Sequence, residues 1–201
     1  MKLFYSPTSP YARKVTALAH EVGLTDQIDS VTIDFAKPDP ALLDANPLGK
    51  VPTLITDDGV CLVDSVVICD HLDSLHDQKR LIPQEGPSRL VAMNLASLAQ
   101  GIMDASINQV MEKRARAKEQ QSEAYLRKHQ GKVAAALDVL EGQAAEGALE
   151  CLNLGTLSLG CALGYLDLRF AEEGWRDGRP ALAAWFAAFE QRPSMVATRP
   201  Q

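Results

Sequence analysis

The nine residues Asn46-Pro47-Leu48-Gly49-Lys50-Val51-Pro52-Thr53-Leu54 (NPLGKVPTL) decide how the first part of this chain reads. Pro52 heads the short run PTLIT, which has the composition of a strand. Proline has no N–H to give a ladder, so it belongs at strand starts, edges and bulges, and there its peptide bond can be cis. A cis Val51-Pro52 bond leaves the Val51 N–H and C=O unpaired and facing outward, open to a peptide-like ligand that pairs as a strand would. A rigid turn with no ligand reads equally well from these residues alone.

Outward from that motif, strand and helix signals alternate. KLFY (Lys2 to Tyr5) reads as a strand, followed by a Ser/Thr/Pro turn. Pro10 to about Val22 reads as a helix with Val15, Leu18, Ala19 and Val22 on one face and Gly23 as its stop. IDSVTID (Ile28 to Asp34) alternates like a half-buried strand. The turn-rich KPDPALLDANPLGK leaves room for a short helix around Ala41 to Asp44. PTLIT and CLV, joined by Asp57-Asp58-Gly59, form a hairpin signal, and Asp64 to Leu75 is again helical. The order β-α-β-α-β-β-α predicts a four-stranded mixed sheet covered by helices.

HDQKRLIPQEGPS (His76 to Ser88) is polar and carries two prolines, which reads as a linker. The predicted division is a first domain over 1–76, a linker over 77–87 and an all-helical domain over 88–201. Helices are expected at Arg89 to about Lys118, Ser122 to about Glu146, Thr156 to Phe170, and Ala181 to Gln191, the last stopped by Arg192-Pro193. The basic stretch MEKRARAKEQQ is broken by Glu112 and Glu119 and reads as a solvated helix face.

Composition narrows the class of protein. The 201 residues are 46% hydrophobic, enough for one sizeable core or two small adjoining ones. No apolar run reaches the roughly 20 residues that span a bilayer. The chain enters KLFY without a signal-peptide core, which predicts a cytoplasmic protein. A formal charge of -6 offers no attraction for nucleic acid or anionic membranes. Cys61, Cys69, Cys151 and Cys161 form no CxxC pair and sit in apolar segments, so buried free thiols are expected. The scattered His20, His71, His76 and His129 give no metal-site spacing.

Two further stretches carry polar groups at helix starts. Ser9-Pro10 is good capping chemistry, with a hydroxyl for a free N–H and a proline suited to the first turn. Asp64-Ser65 opens the next helix. Backbone amides there suit a carboxylate and Asp64 suits an ammonium, so an amino-acid head group would satisfy both, although Asp64 needs no ligand to act as a cap.

Taken together, SPYARKV, NPLGKVPTL and VDS at these spacings resemble the glutathione transferase family, and GTLSLGCALGYLDLRF and WFAAFEQRPS extend the resemblance over the whole chain. The resemblance implies a thioredoxin-like N-terminal domain, a helical C-terminal domain, a homodimer, and glutathione as cosubstrate. It assigns Val51, beside cis-Pro52, to the cysteinyl unit of glutathione. Asp64 and Ser65 fall to the γ-glutamyl end, Lys50 to the glycine carboxylate, and Ser9 to the sulfur. The family often has Ser/Thr-x-x-Asp at the start of its buried helix. Here Leu159 follows Thr156 by three residues, so only half a capping box is expected.

Serine at that place cannot form a mixed disulfide, and Ala12 removes a resolving thiol, so dithiol exchange is excluded. A Ser9 hydroxyl can donate to the sulfur and lower its pKa, helped by the helix dipole. A free thiol near pKa 8.5 is only about 3% thiolate at pH 7. One charge-assisted hydrogen bond, at ~1.5–3 kcal/mol, supplies a lowering of about one to two units. The expected activity is attack of that thiolate on a small electrophile or a peroxide. A non-catalytic binding or assembly protein on the same scaffold and a glutaredoxin-like thiol transferase are the alternatives. Tyr5 and Thr8 are further hydroxyls nearby, Tyr5 expected to pack and Thr8 a possible second donor. Asp104, Ser106 and Asn108 are expected on a partly polar wall of the electrophile pocket.

Overall fold

The computed structural model describes all residues except Pro38, Lys79 and Gln201; the parts of the expected turn, linker and C-terminal domain at those positions lie outside the described residues. Four strands, β1 (Lys2–Tyr5), β2 (Asp29–Thr32), β3 (Thr53–Ile55) and β4 (Cys61–Leu62), form one sheet in the order β2-β1-β3-β4. β2 runs parallel to β1, whereas β3 and β4 each run antiparallel to their neighbour. The alternation of β1 sends Leu3 to one face and Phe4 to the other. On Leu3's side α1 (Pro10–Glu21) and α3 (Ser65–Asp73) cover the sheet. On Phe4's side α2 (Pro40–Ala45) brings Leu42 against Phe4 and Ile33. The expected face of α1 is buried, with Val15, Leu18, Ala19 and Val22 all at 4% exposure or less. β2 is shorter and more exposed than its alternation suggests, because it is an edge strand with β1 as its one neighbour.

The second half is helical: α4 (Gly86–Ala115), α5 (Glu123–Ala145), α6 (Leu154–Phe170), α7 (Pro180–Phe189) and α8 (Pro193–Ala197). Pro193 ends one helix and opens another, since proline fits the first turn of α8 as well as it terminates α7. α6 is buried along nearly its whole length and packs on α4 and on α1. Gly155 lets α6 approach α4 closely: a Cβ there would stand 2.7 Å from the Ala92 carbonyl oxygen.

Three expectations are corrected. The helix over residues 154–170 starts before Thr156, at Leu154, and its capping box is complete. Asn153 is the cap: its Oδ1 accepts from the Thr156 N–H at 3.1 Å, and Thr156 Oγ1 accepts from the Asn153 N–H at 3.0 Å. Threonine does at the third position what glutamate or glutamine ordinarily does. Second, Cys61 and Cys151 are exposed, one on the two-residue strand β4 and one in the α5–α6 connection; Cys69 and Cys161 are buried. Third, α4 is long and apolar enough, by length and composition alone, to cross a membrane. Its place in the fold is a core spine packed on α5 and α6, with Gln100 and Asp104 bonded to side chains of α1.

Two polar anchors join the halves. Asp73, 1% exposed, accepts the N–H groups of Leu81 and Ile82 at 2.8 Å each, and lies 3.2 Å from His76 Nε2. The connecting segment is thereby fixed to the end of α3. Glu21, at the end of α1, accepts a bidentate pair from Arg192 at 2.9 Å and the Ser194 hydroxyl at 2.5 Å, which fixes α8.

Candidate functional site

Sheet register brings the sequence motifs to one edge. Phe4 pairs with Thr53, so the chain leaving β1 toward Ser9 lies beside the chain entering β3 at Val51-Pro52. Leu54 pairs with Leu62, so the exit of β4 toward Asp64-Ser65 reaches the same edge. Segments far apart in the chain are thus neighbours because two antiparallel pairings and one register place them so.

The Val51-Pro52 bond is cis, as the sequence suggests, and Val63-Asp64 is cis as well. Among the described residues neither the N–H nor the C=O of Val51 takes a hydrogen bond. The turn before it is built by Asn46, 2% exposed, whose Nδ2 donates to the Lys50 carbonyl at 3.1 Å and to Thr53 Oγ1 at 3.0 Å. Its Oδ1 accepts from the Leu48 N–H at 3.0 Å. Gly49 supplies the positive φ, +59°, that the turn needs. Asn46 is therefore the structural centre of the motif, a role its position in a turn-rich run only hinted at. The Lys50 side chain is exposed.

Asp64 caps α3, with Oδ1 accepting from the Val66 N–H at 3.0 Å, and its side chain is exposed. Ser65 is 1% exposed and its Oγ has no hydrogen-bond partner among the described residues. A buried hydroxyl without a partner is uncommon.

Ser9 is half-buried at the start of α1, and its Oγ accepts the Ala12 N–H at 3.2 Å. Capping and donation to a ligand are therefore compatible. The cap uses an oxygen lone pair, while the hydroxyl hydrogen remains available. Tyr5 is half-buried and packs against the main core, and Thr8 Oγ1 lies 3.5 Å from Ser6 Oγ. Tyr11 donates its hydroxyl hydrogen to Asp104 on α4. The next turn holds two buried cations: Arg13 donates to the Met195 carbonyl at 3.0 Å and Lys14 to Gln100 Oε1 at 2.9 Å. No local signal marks either pairing, because the partners lie far away in sequence.

A cleft of about 520 Å³ runs between α4 and α5, lined by Asn94, Gly101, Asp104, Asn108, His129 and Lys132 among others. Asp104 and Asn108 line this cleft. Ser106 does not: it is 0% exposed, because two residues along a helix turn a side chain to a different face. Burial, followed by the charges of Lys132 and Lys128, lowers the His129 pKa.

A small mixed sheet with helices on both faces, joined to a bundle of long helices, defines a thioredoxin-like domain coupled to a helical one. Residues 8–75 match the family model for the glutathione S-transferase N-terminal domain, and residues 113–188 match that for the C-terminal domain. The chain is 37% identical over 202 residues to the uncharacterized GST-like protein YibF of Escherichia coli K12, a match covering 100% of this chain and 98% of that one. A glutathione transferase family member from Pseudomonas fluorescens Pf-5, solved with bound glutathione, superposes with a TM-score of 0.95 at 44% identity, covering 100% of this chain and 98% of that one. A glutathione S-transferase from Methylobacillus flagellatus KT with GSH bound gives 0.93 at 37% identity, covering 100% and 99%. The chain belongs to the glutathione S-transferase family.

Proposed function

We propose that the chain is a glutathione transferase in which Ser9 stabilises the thiolate of bound glutathione for attack on a small electrophile or a peroxide. The observation that carries this reading is the unspent hydroxyl hydrogen of Ser9 at the entrance of α1. The residues at the same sheet edge fit the tripeptide. Val51 offers a free N–H and C=O to a peptide unit, and Ser65 offers an unpartnered hydroxyl at the α3 start to a carboxylate. Asp64 keeps its second oxygen for an ammonium, and Lys50 is exposed for the other carboxylate. Two similar proteins, of Pseudomonas and Methylobacillus, hold glutathione. When bound, the tripeptide supplies the nucleophilic sulfur; Ser9 and the helix dipole hold its negative charge.

The acceptor lies against the cleft between α4 and α5, where Asp104 joins the α1 entrance to that wall. The division into residues 1–76, 77–87 and 88–201 assigns the cradle to the first domain and the acceptor wall to the last. A homodimer is supported by exposed apolar residues: Val60, Val63 and Val67 around β4 and α3, with Leu90 and Val91 at the start of α4. A cytoplasmic setting, with removal of reactive electrophiles, fits four free cysteines and glutathione chemistry.

Ser9→Gly tests the mechanism. Glycine at a helix cap costs only a few tenths of a kcal/mol relative to serine, so the fold is retained while the donor is removed. The pH titration of bound glutathione, followed by thiolate absorbance, is expected to move up by about one to two units with binding retained. An unchanged titration and unchanged turnover would remove Ser9 from the chemistry. Failure of the native chain to bind glutathione would favour a non-catalytic assembly role instead.

A further inference from the structure

Past the Tyr11–Asp104 contact, α4 presents a wall beside the entrance of α1. Lys14 meets Gln100 and Tyr11 meets Asp104, so the two helices run in opposite directions along this face. Ser9, just before Tyr11, therefore comes level with the next turn of α4, around Ile107. The same face continues at helical spacing to Met111 and Arg114. Ile107 is half-buried, and Met111 and Arg114 are exposed. α6 forms the other side. It runs in the same direction as α4, since a Cβ on Gly155 would meet Ala92 and Leu95 while the Lys113 ammonium lies 5.2 Å from the centre of the Phe170 ring. Tyr165 thereby reaches the level of Asp104, and Gly164 beside it packs on the Arg13 guanidinium of α1. One turn on, the Arg169 guanidinium stands 5.9 Å from the centre of the Tyr165 ring. Burial raises the Tyr165 pKa, and the charges of Arg169 and Arg114 act against it, so both arginines bear on this one hydroxyl.

Neither arginine is neutralised. Among the described residues neither makes an ion pair, although Arg116, Arg127, Arg176, Arg179 and Arg192 each do. The acids on the same stretches are engaged elsewhere: Glu112 with Arg116 at 3.1 Å, Glu173 with Lys113 at 3.7 Å, and Asp167 with Arg176 at 2.5 Å. Asp104 is bonded by Tyr11, and Glu172 is exposed and pairs with neither arginine. Two unpaired guanidinium groups thus give the apolar wall a positive end, in a chain whose formal charge is -6. A carboxylate matches the guanidinium fork, with two oxygens in one plane.

We propose that Arg114 and Arg169 select the acceptor: a small electrophile bearing a carboxylate, its apolar body against Ile107 and Met111. This rests on the reading that Ser9 holds the sulfur of bound glutathione, and it gives that reading a substrate class. With 4-chloro-3-nitrobenzoate as the example, the thiolate attacks the ring carbon that carries chlorine. The C–S bond forms, the C–Cl bond breaks and chloride leaves, the thiol proton having already passed to solvent. The carboxylate takes no part in bond making; it holds the ring in place.

Calorimetric titration with two preformed conjugates tests this separately from the reading beneath it. S-(4-carboxy-2-nitrophenyl)glutathione carries the carboxylate, and the carboxamide in its place is of similar size and uncharged. The native chain should bind the carboxylate conjugate about tenfold more tightly. Arg169→Gln should reduce that preference to about twofold or less and leave the affinity for glutathione itself unchanged. Arg114→Gln, at an exposed position that the fold tolerates, should reduce the preference in part. Equal binding of the two conjugates by the native chain, or a preference that survives both substitutions, would overturn the assignment and leave the glutathione cradle standing. Binding of neither conjugate would remove the cradle, and this assignment with it.

Discussion

Tyr11, in the first turn of α1, donates its phenolic hydrogen to Asp104 in the middle of α4. Burial, followed by the hydrogen bond and the charge of Asp104, pushes the phenol well above its ordinary pKa. Tyr11 therefore stays protonated throughout the working range, and its hydrogen is committed to Asp104. It is a strut between the two halves and is not available to a bound sulfur. Tyr11→Phe should lower stability by about 1–2 kcal/mol, since a hydrogen bond to a charged group on a half-buried side chain is lost. Glutathione affinity should be unchanged. A urea midpoint and a glutathione titration on the same variant check both halves of this expectation.

Asp73 satisfies two buried N–H groups of the connecting segment. Asp73→Ala orphans both, at about 1–3 kcal/mol for each donor left dry. Asp73→Asn keeps one acceptor oxygen and should lose about half as much. Chemical denaturation of the pair measures the ratio.

Glu21 gives the molecule an acid-sensitive clasp. Burial by itself raises its carboxyl pKa, but the hydrogen bonds from Arg192 and Ser194 and the charge of Arg192 prevail, and the net value is lowered. A folded-state pKa below the unfolded value contributes stability that is fully present above the unfolded value, about 4.3, and is lost as pH falls through the lower folded one. The denaturation midpoint of the native chain should therefore fall on acidification below that value more steeply than that of Glu21→Gln. Parallel curves for the two proteins would show that the clasp does not contribute.

Gly155 sits where α6 crosses α4, and a methyl group there would meet the Ala92 carbonyl oxygen and Leu95 Cβ at 2.7 Å each. Backbone cannot swing aside as a side chain can. Gly155→Ala should cost about 1–3 kcal/mol by overpacking, despite the better helix propensity of alanine. Thermal unfolding of the variant measures the net sign.

Much of this was legible in the sequence, and the reasons differ by element. The helical period of α1 and the proline at the head of β3 are local signals, so both elements could be read directly, whereas the cis Val51-Pro52 bond was only one conformation open to that proline until the family resemblance implied it. The α6 start was misplaced because Thr156 is itself a good capping residue, and the hydroxyl that completes a box resembles one that begins it. Tyr11–Asp104, Lys14–Gln100 and Asp73 with the connecting segment were invisible, since each depends on how separately formed elements meet. Asp64 and Ser65 could be placed at a helix start from the pattern, but the partnerless Ser65 hydroxyl could be recognised only in three dimensions.

The geometry at Ser9 bears on how such proteins diverge. Folding asks residue 9 only for an oxygen lone pair, or for a backbone that tolerates lacking one, whereas the chemistry proposed above would ask for the hydrogen. Selection on shape and selection on turnover thus act on different atoms of one side chain. A descendant lineage can abandon turnover by a single replacement and still inherit the architecture intact, free to be recruited for purposes that need only its surfaces.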